Sequence, residues 1–418
     1  MKILITNAVS LNTGDAAILR GAVGVLRNTF GNDMDVAVYD AKANAAKRHY
    51  PEFNYRPALY EQVRSAAKGR WRGKLATVFI LFLSLIWQKP LGRRLAHRLP
   101  PRLRDSLDEY ARADLVVATG GTYLVPAYRL FPKIFDFMVT LLLGRPLVLF
   151  TQSLGPFPPG RDRLLLRWVL RRARLILVRD DASRRHLDDL GVAGERVAQA
   201  ADAAFAMARL DMPPRRFPPA GRPLRVAISV RDWPHFRREP PAVGMQRYVA
   251  AVAKLTRVLI EDHGVQVTFL STCQGVPEYW TDDSRVANRI VSLLPGAVRT
   301  RVTVDREFHR PERLIGLFAE HDMVVATRMH AGILALCAGV PVLPIAYEFK
   351  TVELFESLGL GEITQDIEAV TPESLEQAFR HLLAAGPALS AQIRSRVGEL
   401  KDSAMEAGSA IRNALAAA

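Results

Sequence analysis

Arg328 and His330 stand two positions apart in the stretch TRMHAGILALCAGVPVLPIAY, between an apolar run and a helical pattern. A guanidinium is a fixed cation and an imidazole titrates near neutrality, so the pair suits holding an anion and moving a proton beside it. The run Met323–Ala326 predicts a strand and residues 329–338 a helix. Thr327 is then placed to cap the helix amides, and Gly339 to end the helix before a strand over residues 340–345. Such a junction presents unpaired N–H groups and the positive end of the helix dipole, which makes it a candidate anion site. Tyr347 and Lys350 follow the next strand, and Arg231 follows another strand-like run in AISVRDW. Arg231 either points into a cleft or pairs with Asp232 on the surface. Several cations around one helix end suit a ligand with both a phosphate and a carboxylate.

Other strand-like runs end in polar residues as well. NAVSLNTGDAAIL offers Asn12, Gly14 and Asp15, either as a turn with Asp15 facing a sugar hydroxyl or as ordinary helix caps. In ATGGTYL, Gly120 and Gly121 allow close backbone approach to a ligand or simply a tight turn. Gln152 and Ser153 in FTQSLGPF have the chemistry to hydrogen-bond a polyol. In VRDDASRRHL, Asp180 and Asp181 suit the first turn of a helix, and Arg179 is expected to be buried against one of them. No run has recognisable metal-ligand spacing, so neither a metal nor a cofactor is expected.

These residues need a scaffold that brings strand ends together, and the pattern of the chain supplies one. Strand-like runs at residues 2–6, 35–39, 115–119, 147–151 and 175–178 alternate with helical stretches at 16–29 and 163–174. After the Pro/Arg/Gly-rich stretch 211–223 the alternation restarts at 224–230, 265–271, 323–326 and 340–345, with a helical stretch at 245–263. That is an α/β protein with two doubly wound, Rossmann-like domains, whose ligands sit in a cleft at the carboxyl ends of the strands. The expected divisions are a first domain over 1–212, a linker at 213–223, a second domain over 224–371 and a helical tail over 372–418. The tail is expected to pack back on the first domain.

The 418 residues suffice for two such cores, and half of them are hydrophobic. Cys273 and Cys337 lie in apolar runs and fit small packing residues in a reducing compartment. The opening MKILITNAVSLNTGD reads as a first strand rather than a secretory signal, which points to the cytoplasm. Net charge is +15, and residues 64–104 hold eleven lysines and arginines with no acid. Within that insert the apolar block 75–87 would make a helix of roughly 20 Å, short of the ~30 Å of a bilayer core. With Trp71 and Trp87 at its ends it suits either a segment lying on an anionic membrane surface, peripheral to the inner face, or a buried helix with a basic rim. Nucleic acid is not expected as a partner, because no recognition motif accompanies the charge.

The ordered set NTGDAAIL, GGTYL, QSLGP, VRDDAS, DAAF, SVR, TRMHA and AGVPVLPIAYEFK resembles the polysaccharide pyruvyl transferase family from residue 1 to about residue 360. The resemblance implies a GT-B-like pair of domains and transfer of a pyruvyl group from phosphoenolpyruvate to a sugar, giving a cyclic ketal on two hydroxyls. The acceptor would be a glycan, free or lipid-linked. It further implies that Arg231, Arg328, Met329 and His330 hold phosphoenolpyruvate. The chemistry of that transfer would have Lys350 neutralise the leaving phosphate, Asp15 accept the acceptor's proton, and His330 act either as acid or base or only as a phosphate ligand. Asn12, Gly14, Asp15, Gly120, Gly121, Gln152 and Tyr347 would face the acceptor. Met329 stands where the family favours leucine, DAAF replaces Asp–Pro–Ala–Phe, and QSLGP replaces a glycine-richer turn. Two other classes compete: a nucleotide-sugar glycosyltransferase and a non-catalytic assembly protein at a membrane surface. Against the first, the stretch ATRMHAGILALC before the Gly–Val–Pro turn holds no acid, and Glu348 and Glu356 come after it.

Overall fold

A computed structural model describes residues 1–67, 69–192, 194–210 and 221–417. Residues 211–220, which include 213–220 of the expected linker, lie outside them. The chain forms two compact units. One comprises Met1–Ser10, Ile18–Ala206 and Ser403–Ala418, the other Leu11–Ala17 and Met207–Asp402. Each is built on a wholly parallel sheet, as the near-continuous apolar runs of its central strands require.

The N-terminal unit contains β1 (Lys2–Ala8), β2 (Asp35–Asp40), β3 (Asn54–Pro57), β4 (Leu115–Ala118), β5 (Gly121–Leu124), β6 (Leu147–Leu154), β7 (Leu175–Val178) and β8 (Val197–Gln199). Among the described residues the order is β3-β2-β1-β4-β6-β7-β8, with β5 also pairing β6. β4 and β6 are buried along their whole length. One face of this sheet, with Leu4, Val116, Leu149 and Ile176, packs against helical residues that include Leu59, Val63, Ile80, Leu83, Phe135 and Leu166.

The insert is helical, with segments Leu59–Ala66, Arg70–Leu85, Pro90–Ala96 and Pro101–Ala111. Helix Arg70–Leu85 is about 24 Å long at 1.5 Å per residue. It does not choose between the two expected settings, because its faces differ. Thr77, Ile80, Leu83 and Ser84 are buried, while Trp71, Leu75, Val78, Phe82 and Leu85 are exposed. Trp87, an interfacial anchor in the first of those settings only, is buried in the core of the unit. Among the described residues no helix is long and apolar enough to cross a membrane.

The C-terminal unit contains β9 (Arg225–Ser229), β10 (Gln266–Phe269), β11 (Val302–Val304), β12 (Met323–Ala326), β13 (Val342–Ala346) and β14 (Gln365–Asp366). Their order, β11-β10-β9-β12-β13-β14, reverses direction between β9 and β12. The chain from Pro372 to Ala416 is helical with a kink at Gly386, whose φ of 52° is one that glycine adopts without strain. Its last stretch belongs to the N-terminal unit: Ser403 Oγ accepts from Ala201 N at 3.1 Å, and Arg174 Nε donates to Ala414 O at 2.6 Å. Gly408 lies so close to Thr29 that an added Cβ would sit 1.9 Å from its hydroxyl oxygen.

Candidate active site

In a doubly wound sheet the strand-order reversal opens a crevice at the carboxyl ends of the two strands flanking it, and ligands bind there. In the C-terminal unit those strands are β9 and β12. Their register pairs Ser229 with Ala326, and Thr327 N donates to Ser229 O at 2.8 Å. Arg231 and Arg328 therefore leave adjacent strands at equivalent positions, two residues beyond the last pair. Topology puts both cations at the switch point.

The helix after β12 runs Met329–Cys337, and Gly339 follows it with φ 70°. Thr327 does not cap it as expected. Its hydroxyl is buried and meets Tyr248 Oη at 2.7 Å, and Arg328 occupies the N-cap position without a side-chain cap bond. Arg328 is buried and bound at two points by Asp283, Nε to Oδ2 at 2.9 Å and Nη2 to Oδ1 at 2.6 Å. Burial works against its charge, yet the Asp283 carboxylate outweighs that and holds the guanidinium protonated well above its ordinary range. Asp283 is fixed in turn by Ser271 Oγ at 2.6 Å. The expected anion clamp thus carries its own carboxylate, and Met329 behind it is buried.

Arg231 is held differently. Its guanidinium carbon lies 4.8 Å from the ring centre of Trp233 and 4.0 Å from that of Tyr347, and the two rings are themselves 4.6 Å apart. Nε donates to the Asp232 backbone carbonyl at 3.2 Å, so the alternative of a surface ion pair with the Asp232 carboxylate is not what forms. Among the described residues Arg231 makes no ion pair at all; aromatic faces orient it without neutralising it. Tyr347 feels both arginines: burial raises its hydroxyl pKa, while Arg231 and then Arg328 pull it down. Arg231 stacks on this tyrosine, and Arg328 acts on it through its charge. Lys350 lies in helix Phe349–Ser357 just beyond, 2.6 Å from Glu348 Oε2.

The segment after β1 completes the cluster from far away in sequence, because residues 11–17 belong to the C-terminal unit. Asn12 caps helix Thr13–Phe30: its Oδ1 accepts from Gly14 N at 2.9 Å and its carbonyl from Ala16 N at 2.8 Å. Thr13 N donates to Thr272 O at 2.9 Å and Thr13 Oγ1 to His309 O at 2.8 Å. Gly14 lies directly against His330, where an added Cβ would be 2.6 Å from the histidine Cβ and 2.8 Å from Cγ. Here the glycine is needed for close approach. Asp15 contributes its charge to the surroundings of Tyr279 and Cys273. Burial pushes the Tyr279 hydroxyl well above its ordinary range, opposed by a hydrogen bond with the Asn12 side chain, and burial pushes the Cys273 thiol up to about 12. Both cysteines are buried and unbridged.

Gly120, Gly121 and Gln152, expected on the acceptor side, lie in the N-terminal unit. Gly121 has φ 136°, and a Cβ on Gly120 would sit 2.6 Å from Thr151 Oγ1. The Gln152 side chain is fully buried and donates to Thr119 O at 2.5 Å and Tyr123 Oη at 3.1 Å, so it faces the core. In the same unit Arg179 is paired with Asp202 of DAAF, not with Asp180 or Asp181 as expected, and donates to Ser153 Oγ at 2.8 Å and Thr122 Oγ1 at 2.8 Å. Asp180 instead caps helix Asp181–Asp189, accepting from Ser183 N at 2.7 Å. Sequence reasoning missed Asp283, Tyr279 and Trp233. Trp233 alone left a signal, two positions from Arg231.

Residues 12–348 match the family model described as polysaccharide pyruvyl transferase. The chain belongs to the polysaccharide pyruvyl transferase family. It is also 27% identical over 384 residues to the amylovoran biosynthesis protein AmsJ of Erwinia amylovora, covering 90% of each chain. It is therefore a transferase of polysaccharide biosynthesis, with a polysaccharide as acceptor. Among the solved structures that share its fold are three from different proteins. Anabaena HepE in complex with UDP-glucose matches with TM-score 0.57 at 14% identity, over 99% of this chain and 98% of that one. Trehalose 6-phosphate synthase of Burkholderia multivorans gives 0.57 at 13%, over 100% and 97%. S. aureus MnaA with UDP gives 0.56 at 13%, over 94% and 90%. The two parallel sheets and these likenesses make the fold GT-B-like.

Proposed function

We propose that the chain moves the pyruvyl group of phosphoenolpyruvate onto a sugar of a polysaccharide or of its lipid-linked precursor, forming a pyruvate ketal and releasing phosphate. The observation that carries this reading is Arg231, a cation stacked on Trp233 and Tyr347 with no ion pair among the described residues, at the switch point beside Arg328. A small anion with both a carboxylate and a phosphate matches one guanidinium left without a counter-charge among the described residues and a second cation nearby.

The chemistry assigns the other residues. Protonating the methylene carbon of phosphoenolpyruvate makes the adjacent carbon oxocarbenium-like. A sugar hydroxyl attacks that carbon and gives up its proton, and a second hydroxyl then displaces phosphate, its proton leaving with the phosphate. His330 supplies and takes back protons, placed by its contact with Gly14. Asp15, one residue along the same helix turn, accepts the proton of the acceptor hydroxyl. Arg328, oriented by Asp283, and Lys350, beside Glu348, stabilise the departing phosphate. Asn12 and Tyr347 line the acceptor's approach.

The test is a thermal-shift comparison of phosphoenolpyruvate with UDP-glucose, since a ligand that binds the folded state raises its melting temperature. Phosphoenolpyruvate is expected to stabilise the wild type and His330→Ala, and not Arg231→Ala. Phosphate release should require acceptor glycan and should vanish in His330→Ala. Stabilisation by UDP-glucose alone would replace this reading with a glycosyltransferase.

A further inference from the structure

Helix Arg70–Leu85 carries an apolar face that no described residue of its own unit covers. Trp71, Leu75, Val78, Phe82 and Leu85 recur at helical spacing along one stripe and are between 49% and 76% exposed. Leu91, in the next helix Pro90–Ala96, is also exposed. The opposite face is anchored by Ile80 and Leu83, with Ile86 and Trp87 just beyond, in the core of the N-terminal unit. The stripe is therefore presented on a preformed helix rather than on a segment that must fold on contact. Its rim is basic. Arg70, Arg72, Lys74, Lys89, Arg93, Arg94 and Arg98 are all exposed, and Lys74 Nζ lies 5.1 Å from the Trp71 ring centre.

We propose that this face docks on an anionic lipid surface, with the five apolar side chains entering the headgroup boundary and the cations meeting lipid phosphates. A helix of about 24 Å that is packed on one side and presents an apolar stripe with flanking lysines and arginines on the other lies in the interface plane instead of crossing it. Charge decides between occupants. Residues 64–104 contain no acid, so a second copy seated on the same face would bring like charges together, whereas an anionic bilayer meets both the stripe and its rim. This surface lies outside the proposed active site and does not depend on that reading.

The experiment is flotation of the full chain with vesicles of phosphatidylcholine alone or mixed with phosphatidylglycerol, at low and at high salt. The wild type should float with the mixed vesicles and be released by high salt. The double variant Leu75→Ser/Phe82→Ser should lower the bound fraction by about tenfold or more, because the inserted apolar area is lost. The double variant Arg93→Glu/Arg94→Glu should lose binding to the mixed vesicles to a similar degree, and all variants should keep the wild-type melting temperature. If the serine pair proves unfolded, Val78→Ser/Leu85→Ser gives the same readout. Equal flotation of wild type and folded variants, or equal binding to phosphatidylcholine alone, overturns the proposal. So does a dimer in light scattering that the serine pair dissolves while vesicles capture nothing, which would assign the stripe to a second copy.

Discussion

At the residue scale the two arginines of the switch point do different work despite their symmetric places on β9 and β12. Arg328 is buried with Asp283, so removing it strands a carboxylate that has lost its counter-charge. Breaking a buried pair in this way costs about 3–5 kcal/mol, more than most surface changes. Arg328→Ala is therefore expected to lose stability and activity together. Arg231→Ala, which strands no carboxylate, should lose donor binding with a smaller stability cost. Chemical denaturation of both variants, read beside donor binding, separates the roles. Equal stability loss in the two would remove the distinction. The consequence for function is that loss of activity in Arg328→Ala alone says little about the anion. Ser271 and Asp283 form the frame that aims this guanidinium, and no local spacing reveals it, because Asp283 lies 45 positions away and joins through a separate loop.

At the element scale the helix Thr13–Phe30 offers an internal comparison. Gly14 and Gly24 both lie within it, but a Cβ at Gly14 meets His330 at 2.6 Å, while one at Gly24 meets nothing within 4 Å. Gly14→Ala must push the histidine or the helix aside, and a misplacement of order 1 Å can cost about a hundredfold in rate. Gly24→Ala, exposed and helical, should instead stabilise by about 0.5–1 kcal/mol and leave turnover unchanged. Steady-state kinetics with denaturant curves check both. Parallel behaviour of the two variants would mean that the contact with His330 has no catalytic weight. The elements themselves were unevenly legible. The fully buried strands β7 and β12 fall at the residues their apolar runs predict, since both faces are buried and the run is unbroken. β3, β8, β11 and β14 span two to four residues and carry too little pattern to register. The insert helix misled for the opposite reason. Both of its faces are apolar, so its sequence does not distinguish the face that packs from the face that does not.

At the scale of the whole molecule the chain order and the compact units disagree, and the disagreement is informative. Residues 11–17 follow the first strand of the N-terminal sheet yet belong to the C-terminal unit, tied there by Thr13 to Thr272 and His309 and by Gly14 against His330. A ligand held at the proposed donor site by Arg231 and Arg328 is expected to slow local opening of this distant segment as well, because Gly14 packs against His330, two residues from Arg328. Hydrogen exchange with and without phosphoenolpyruvate is the direct measurement. Added protection is expected in residues 11–17 together with the ends of β9, β12 and β13, and it should be absent in β2 and β3 at one edge of the other sheet. Arg231→Ala should erase the change everywhere at once. Protection confined to the strands of the N-terminal unit, or persisting in Arg231→Ala, would move the donor away from the switch point of β9 and β12 and leave the two arginines a structural role.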